Sequence, residues 1–124
     1  MDLYREEILD HYKHPHNFGH LTNASAAGEE YNVSCGDKIS MEVESSKTAK
    51  AKKIVDVRFV GSGCAISIAS ASMLTEKVKG MKIEDVMKLK LSDIQEFFGK
   101  TLMPARVKCA MLSLEVLQKT VKKI

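Results

Sequence analysis

The sequence predicts an α+β domain in which a small three-stranded antiparallel sheet packs against several helices. Apolar residues alternate with polar ones between residues 29 and 60, whereas they recur at helical spacing in the second half of the chain. The 124 residues suit one hydrophobic core, so residues 1–124 are expected to form a single domain. Hydrophobic residues at 44% and charged residues at 28% exclude a disordered or collagen-like chain.

The first predicted element is an amphipathic helix over residues 2–13. Its apolar face is assigned to Tyr4, Ile8, Leu9 and Tyr12. Pro15 and Gly19 end this helix, so residues 14–19 are expected to form a turn and residues 20–28 an irregular segment. The histidines of this region are expected to be solvated rather than to bind a metal, namely His11, His14, His16 and His20.

Three strands follow in the prediction, over residues 29–34, 38–44 and 53–60. The polar segment 45–50 is expected to form a hairpin loop, which makes the second and third strands antiparallel. The buried face of the second strand is assigned to Ile39, Met41 and Val43. The buried face of the third strand is assigned to Val55, Val57 and Phe59.

The remaining chain predicts helices. One helix is expected over residues 65–79, with Gly80 as its C-terminal stop, and a short helical turn over residues 83–88. Ser92 is assigned as the N-cap of a helix that ends at Gly99. Pro104 opens the last helix, whose apolar stripe is expected to pack in the core and consists of Val107, Met111, Leu114, Leu117 and Val121.

The charge pattern excludes some classes of function. A net charge of +3 without any tryptophan favours a solvated surface over a nucleic-acid site. Two basic clusters could still face an acidic protein partner: Lys47, Lys50, Lys52 and Lys53, then Lys100, Arg106, Lys108, Lys119, Lys122 and Lys123. No apolar run suits a membrane span, and the charged N-terminal segment is unlike a signal peptide. A cytoplasmic protein is therefore expected.

The three cysteines all lie at the ends of predicted elements. Cys35 follows the first strand, Cys64 lies between a strand and a helix, and Cys109 lies in the first turns of the last helix. Three cysteines cannot all form disulfides within one monomer, and a reducing compartment keeps them as thiols. At Cys64 the helix N-terminus favours a thiolate, the form of cysteine that binds metals and attacks sulfur.

A carboxylate follows the first cysteine, because Gly36 permits a tight turn that could direct Asp37 toward the thiols. Three thiolates and one carboxylate would complete a zinc site or the ligand set of a [2Fe–2S] cluster. Arg106 and Lys108 add positive charge beside Cys109. The cysteines are too far apart in sequence for a CxxC finger, so residues alone leave open a shared metal site or three cysteines packed in the core.

Three segments around the cysteines resemble the motifs of the N-terminal family that includes IscU, SufU and NifU. The segments are Asn32-Val33-Ser34-Cys35-Gly36-Asp37, Gly61-Ser62-Gly63-Cys64-Ala65-Ile66-Ser67 and Pro104-Ala105-Arg106-Val107-Lys108-Cys109-Ala110. The opening is also similar to the first helix and loop of that family, through Asp10-His11-Tyr12, Pro15, Asn17 and Gly19. The likeness covers nearly the whole chain in the same order.

The resemblance implies an iron–sulfur cluster assembly scaffold rather than a turnover enzyme. Such a scaffold accepts sulfur from a cysteine desulfurase, builds a [2Fe–2S] cluster with iron, and passes it to acceptor apo-proteins or cluster carrier proteins. The alternative, implied by the SufU branch, is a zinc-dependent sulfurtransferase. The implied ligands are Cys35, Asp37, Cys64 and Cys109. The implied first sulfur acceptor is Cys109 in the scaffold branch and Cys35 in the SufU branch.

The sequence combines features of both branches. Lys108 stands where IscU-type members have a histidine, and residues 104–110 are similar to the SufU type. A protonated lysine has no lone pair with which to bind a metal. The short spacing between Cys64 and Cys109 instead resembles the scaffold form, because SufU-type chains carry an insertion there. Residues 102–106 partly match the motif by which some scaffolds bind a dedicated Hsp70 chaperone, and a homodimer is left open.

Overall fold

A computed structural model describes residues 3–46, 51–99 and 102–124. The elements in chain order are α1 (Leu3–Lys13), β1 (Ala26–Asn32), β2 (Asp37–Ser45), β3 (Ile54–Ser62), α2 (Ala65–Val78), α3 (Ile83–Val86), α4 (Leu91–Phe98), a 3₁₀ turn (Pro104–Arg106) and α5 (Val107–Val121). The predicted α+β class with a three-stranded antiparallel sheet is confirmed. Most of the predicted 45–50 loop and several clustered lysines lie outside the described residues, namely Lys47, Lys50 and Lys100.

The central strand of the sheet is β2, which pairs with β1 on one side and β3 on the other. Its alternate residues are buried on one face, as predicted: Asp37, Ile39, Met41, Val43 and Ser45. The first strand was expected over residues 29–34 but begins three residues earlier and ends two residues earlier. It ends at Asn32 because Cys35 N–H donates to the Asn32 carbonyl at 3.2 Å and closes a turn over residues 33–36.

The third strand contains an irregularity that the alternation did not indicate. Val57 and Phe59 are buried as predicted, but Val55 is 53% exposed and Ile54 takes its place in the core. The pairing register shifts between Glu44 and Ser45, so one extra residue enters β3. A β-bulge of this kind reverses the two faces of a strand, which places Val55 outside.

The helices cover the inner face of the sheet. Helix α2 ends at Val78 before Gly80, whose φ of 83° suits a glycine stop, as predicted. In the last helix, Leu114, Leu117 and Val121 of the predicted stripe are buried. Within the described ranges, no helix has the length and apolar character needed to cross a membrane.

Two helix assignments were wrong. Ser92 is not the N-cap of α4, because the helix begins at Leu91 and the Asp93 carboxylate accepts the Lys90 N–H at 2.9 Å. In α1, Ile8 is buried, but two other residues of the assigned apolar face are about two-fifths exposed, namely Leu9 and Tyr12. The N-terminal helix therefore contacts the core over a narrower stripe than expected.

His11 is packed against α2 rather than solvated as expected. Its Nδ1 lies 2.7 Å from Ser72 Oγ, and its ring centroid is 4.6 Å from that of His16. Burial lowers the pKa of His11, the charge of His16 acts in the same direction, and the nearby acidic groups Glu7, Asp10 and Glu76 oppose both. Among the residues that the structure describes, no histidine belongs to a group able to hold a metal.

Both edges of the sheet have hydrogen-bonding partners along part of their length. At β1, the Lys123 ammonium donates to the Ala27 carbonyl at 2.6 Å, and Lys119 donates to the Glu29 carbonyl at 3.2 Å. Along β3, Phe59 N–H donates to the Asn17 carbonyl, and the Phe59 carbonyl accepts from Gly19 N–H, each at 2.9 Å. Edge groups that would otherwise be unpaired are thus satisfied within the chain.

Candidate metal centre

The hairpin between β1 and β2 holds two of the sequence-predicted site residues. Cys35 lies in the turn and is half-buried, and Asp37 opens β2 with 2% of its surface exposed. Gly36 between them has a φ of 69°, a conformation that glycine adopts without strain. Asp37 points inward because alternate side chains of a strand share one face, and Asp37 lies on the buried face of β2 with Ile39 and Met41.

The junction of β3 and α2 brings the second cysteine to the same end of the sheet. Cys64 is the N-cap of α2, which confirms its predicted place at a helix N-terminus. Its backbone N–H donates to Asp37 Oδ1 at 2.9 Å, so the carboxylate satisfies one of the unpaired donors at this helix start. Gly63 leaves room for this contact, since a Cβ there would overlap Asp37 and lie 2.7 Å from Ser67 Oγ.

The third cysteine enters from the start of α5. Cys109 is the third residue of that helix, directly after the 3₁₀ turn, and it is fully buried. Its Sγ donates to Cys35 Sγ at 2.8 Å. The side-chain amide of Asn32 donates to Cys109 Sγ at 3.9 Å, so the sulfur lies between the hairpin and the helix.

Three of the four predicted site residues form one group. The donor atoms of Cys35, Asp37 and Cys109 all lie within 4.8 Å of one another. Cys64 is outside this group, with its Sγ 3.8 Å from Ser67 Oγ, although its backbone contacts Asp37. Asp37 Oδ2 is buried without a hydrogen-bond partner. A buried carboxylate oxygen without a donor is costly unless a cation or another donor reaches it.

The surroundings of Cys109 oppose its ionisation. Burial raises the pKa of Cys109 well above its ordinary value. Its side-chain contact with Cys35, the charge of Cys64, and further side-chain contacts with Cys64 and Asp37 raise it further. Arg106 lies beside the same sulfurs. Its hydrogen bond to Cys109 and the charges of the thiols therefore raise the pKa of its guanidinium. The predicted positive charge beside Cys109 is therefore present in Arg106, but burial outweighs its effect on the thiol.

The donor set fits a soft or borderline metal. Thiolate sulfur suits zinc and iron–sulfur chemistry, whereas magnesium and calcium prefer oxygen ligands alone. A bound cation would also give Asp37 Oδ2 the partner that it lacks and would favour the thiolate form of its ligands. The residues present therefore fit a zinc ion or an iron–sulfur cluster.

The fold and these donors define a class: small α+β proteins with thiols and a carboxylate gathered at one end of a three-stranded sheet. Within that class, the chain belongs to the family described as the NifU-like N terminal domain, whose model matches residues 3–124. The family resemblance expected from the motifs is confirmed.

Two relatives illustrate the two branches. The chain is 40% identical over 138 residues to the zinc-dependent sulfurtransferase SufU of Bacillus subtilis (strain 168), covering 98% of this chain and 90% of that protein. It is 39% identical over 119 residues to the iron–sulfur cluster assembly scaffold protein IscU of Aquifex aeolicus (strain VF5), covering 96% and 74% respectively. The first alignment is longer than the chain itself, so it contains gaps in this chain.

Solved structures agree with the fold. A crystal structure described as a proposed iron–sulfur cluster assembly scaffold protein for the SUF system (FiSufU), from Fervidobacterium islandicum AW-1, has a TM-score of 0.76 and 29% identity over 94% of each chain. A NifU-like protein (N-terminal) from Brucella abortus has a TM-score of 0.80 over 98% of this chain at 16% identity, which supports the fold alone.

Three residues that sequence reasoning did not assign contact the site. Gly63 leaves space for the carboxylate, Ser67 contacts the Cys64 sulfur, and Asn32 contacts the Cys109 sulfur. Ser67 stands three positions after the N-cap, where a polar side chain returns to the start of a helix. That spacing was the available signal for Ser67, whereas the contact of Asn32 depends on the packing of α5 against the hairpin.

Proposed function

We propose that this protein is an iron–sulfur cluster assembly scaffold that accepts sulfur from a cysteine desulfurase, assembles a [2Fe–2S] cluster and transfers it to acceptor proteins. The observation that carries the proposal is the convergence of Cys35, Asp37 and Cys109 in a chain of the NifU-like N-terminal family. Cys64 supplies the fourth ligand. Iron and sulfide are substrates here, and the chain binds, holds and releases them rather than turning over a reaction of its own.

Cys35 is the sulfur acceptor in this proposal. It is half-buried in an exposed turn beside Val33, which is 90% exposed, whereas Cys109 is buried. The Cys35 thiolate attacks the outer sulfur of the desulfurase persulfide and forms a new S–S bond, while the desulfurase cysteine leaves as a thiolate. The contact of Cys109 Sγ with Cys35 Sγ at 2.8 Å supports passage of sulfur into the buried group.

Asp37 makes the assembled cluster releasable. Its carboxylate oxygen is a harder ligand than thiolate and matches iron–sulfur chemistry less well. One oxygen is already held by Cys64 N–H, so the other oxygen, Oδ2, is the one available to iron. A single oxygen ligand among sulfur ligands supports transfer of the cluster over permanent storage.

The test is anaerobic reconstitution with ferrous iron, cysteine, a cysteine desulfurase and a thiol reductant, which supplies the electrons that convert persulfide sulfur to sulfide. Visible absorbance, iron content and sulfide content should show a cluster on the parent protein. Replacement of Cys35, Cys64 or Cys109 by serine should remove most of it, because each change deletes a thiolate ligand. Ser34→Ala, an exposed change in the same turn as Cys35, is the matched control and should retain it. A parent protein that forms no cluster while the desulfurase is active would overturn the proposal.

Lys108 supports a second candidate, a zinc-dependent sulfurtransferase. It is exposed directly before Cys109 and lacks the lone pair of a histidine, and the 40% identical relative from Bacillus subtilis bears that name. Here Cys35, Asp37, Cys64 and Cys109 would hold zinc, which orders the loops around the thiols until the desulfurase docks.

Desulfurase turnover distinguishes the two candidates. The zinc candidate predicts that zinc-loaded protein accelerates turnover, that metal-free protein does not, and that no cluster forms. Turnover that is unchanged by removal of zinc would exclude it. Mass spectrometry of the persulfide, compared between Cys35→Ser and Cys109→Ser, then identifies the first acceptor in either case.

A further inference from the structure

The Ser67 hydroxyl contacts Cys64 twice. Cys64 Sγ donates to Ser67 Oγ across 3.8 Å, and Ser67 Oγ donates its own proton to the Cys64 carbonyl at 3.0 Å. Ser67 is fully buried, so water does not replace either contact. In this arrangement the hydroxyl proton is used on the carbonyl, so the hydroxyl oxygen offers only lone pairs to the sulfur.

The main chain of Cys64 is fixed from several sides. Its N–H donates to Asp37 Oδ1 at 2.9 Å, and its carbonyl accepts from Ile68 N–H at 3.2 Å as α2 begins. Gly63 packs so closely that a Cβ there would lie 2.7 Å from Ser67 Oγ. The Cys64 side chain already interacts with Cys109. With the backbone held, rotation about the Cα–Cβ bond is the movement that carries its sulfur from Ser67 into the donor set of Cys35, Asp37 and Cys109.

We propose that Ser67 is a positioning residue for Cys64, which enters the donor set by side-chain rotation while its main chain stays in place. The inference rests on the proposed function, because it takes Cys64 as the fourth ligand. A metal-bound cysteine is a thiolate and only accepts hydrogen bonds. The Ser67 proton then turns from the Cys64 carbonyl to the Cys64 sulfur, and Ile68 N–H still satisfies the carbonyl.

The new hydrogen bond stabilises the bound position. A hydroxyl that donates to an anionic sulfur makes a stronger bond than one that donates to a neutral carbonyl. Outer contacts of this kind commonly change metal affinity by about 10–100-fold when they are removed. Ser67 can accept a hydrogen bond from the Cys64 thiol and donate one to the Cys64 thiolate. It can do both because the two atoms between which its proton turns, the carbonyl oxygen and the sulfur, belong to Cys64.

The experiment is a double-mutant cycle with zinc and cobalt(II) as probes. Zinc affinity by chelator competition and the cobalt–thiolate charge-transfer band are measured for the parent, Ser67→Ala, Cys64→Ala and the double variant. Ser67→Ala should weaken zinc binding about 10-fold or more and reduce the charge-transfer intensity. The same change should have no effect in the Cys64→Ala background. Ser72→Ala removes another buried hydroxyl from α2, away from the thiols, and should leave both readouts unchanged.

The outcomes separate this inference from the proposed function. Parental affinity and spectrum in Ser67→Ala, or an equal loss in the Cys64→Ala background, would overturn the role of Ser67 alone. Ser67→Thr retains the hydroxyl and should keep the parental spectrum, so a folded threonine variant without that spectrum would also contradict the role. A parent protein that binds neither zinc nor cobalt would overturn the proposed function and this inference together. Thermal unfolding of the metal-free proteins verifies that each variant is folded.

Discussion

Replacing Gly63 with alanine should damage the donor set as well as strain the backbone. Gly63 has a φ of 156°, and a Cβ there would overlap the Asp37 carboxylate. Backbone strain of this kind costs about 1–3 kcal/mol. Displacement of Asp37 would also break its hydrogen bond from Cys64 N–H, and bonds to charged groups contribute about 1.5–3 kcal/mol. We therefore expect the free energy of unfolding to fall by about 2.5–6 kcal/mol.

Gly19→Ala is the matched control for strain. Gly19 has a φ of 142°, and nothing lies within 4 Å of a Cβ at this position. Urea unfolding of the metal-free proteins should show a loss of only about 1–3 kcal/mol for this variant. Zinc affinity should fall about 10–100-fold in Gly63→Ala and stay unchanged in Gly19→Ala. Equal destabilisation of the two variants with zinc binding intact would refute the reasoning that Gly63 makes room for Asp37.

Three further predictions concern other parts of the molecule. Ile54→Ala should lower the free energy of unfolding by about 2–5 kcal/mol and Val55→Ala by less than about 0.5 kcal/mol; urea unfolding checks this, and the reverse order would contradict the bulge. Because burial lowers the pKa of His11 below its ordinary 6.5, folding opposes its protonation, so stability that is complete above about pH 6.5 should be lost as the pH falls. Thermal unfolding across pH should show a shallower decline for His11→Gln, and an unchanged decline would assign it to other groups. Asp37→Cys should hold a reconstituted cluster longer against a chelator than the parent does, and faster loss would count against a releasing role for the carboxylate.

Alternation identified β2 well because its even spacing continues through the whole strand, with every second residue buried. It failed at β3, since Ile54 and Val55 are both apolar and only the pairing with Ser45 decides which one faces the core. In α2 the sequence offers little apolar period, because serine and alanine are small enough to be buried on several sides of the helix. The types of the elements and the order of the motifs could therefore be predicted from the sequence, whereas the extra residue of a bulge could not.

The candidate site could be predicted from the sequence to a similar degree. The motifs selected Cys35, Asp37, Cys64 and Cys109, and the structure gathers three of them into one group. Sequence could not indicate that one Asp37 oxygen holds the start of α2 while the other lacks a partner. It also could not indicate that Asn32 contacts Cys109, because that contact depends on packing of α5 that the residue order does not specify.

The contacts at the two edges of the sheet bear on how the protein meets other proteins. Short sheets with open edges recruit foreign strands and can extend into aggregates. Here the ammonium groups of Lys119 and Lys123 occupy carbonyls on the β1 side, and the chain from Asn17 to Gly19 occupies the β3 side. A visiting protein would have to displace these bonds to add a strand at either edge, whereas Val33 in the turn between β1 and β2 is open to contact without any such displacement.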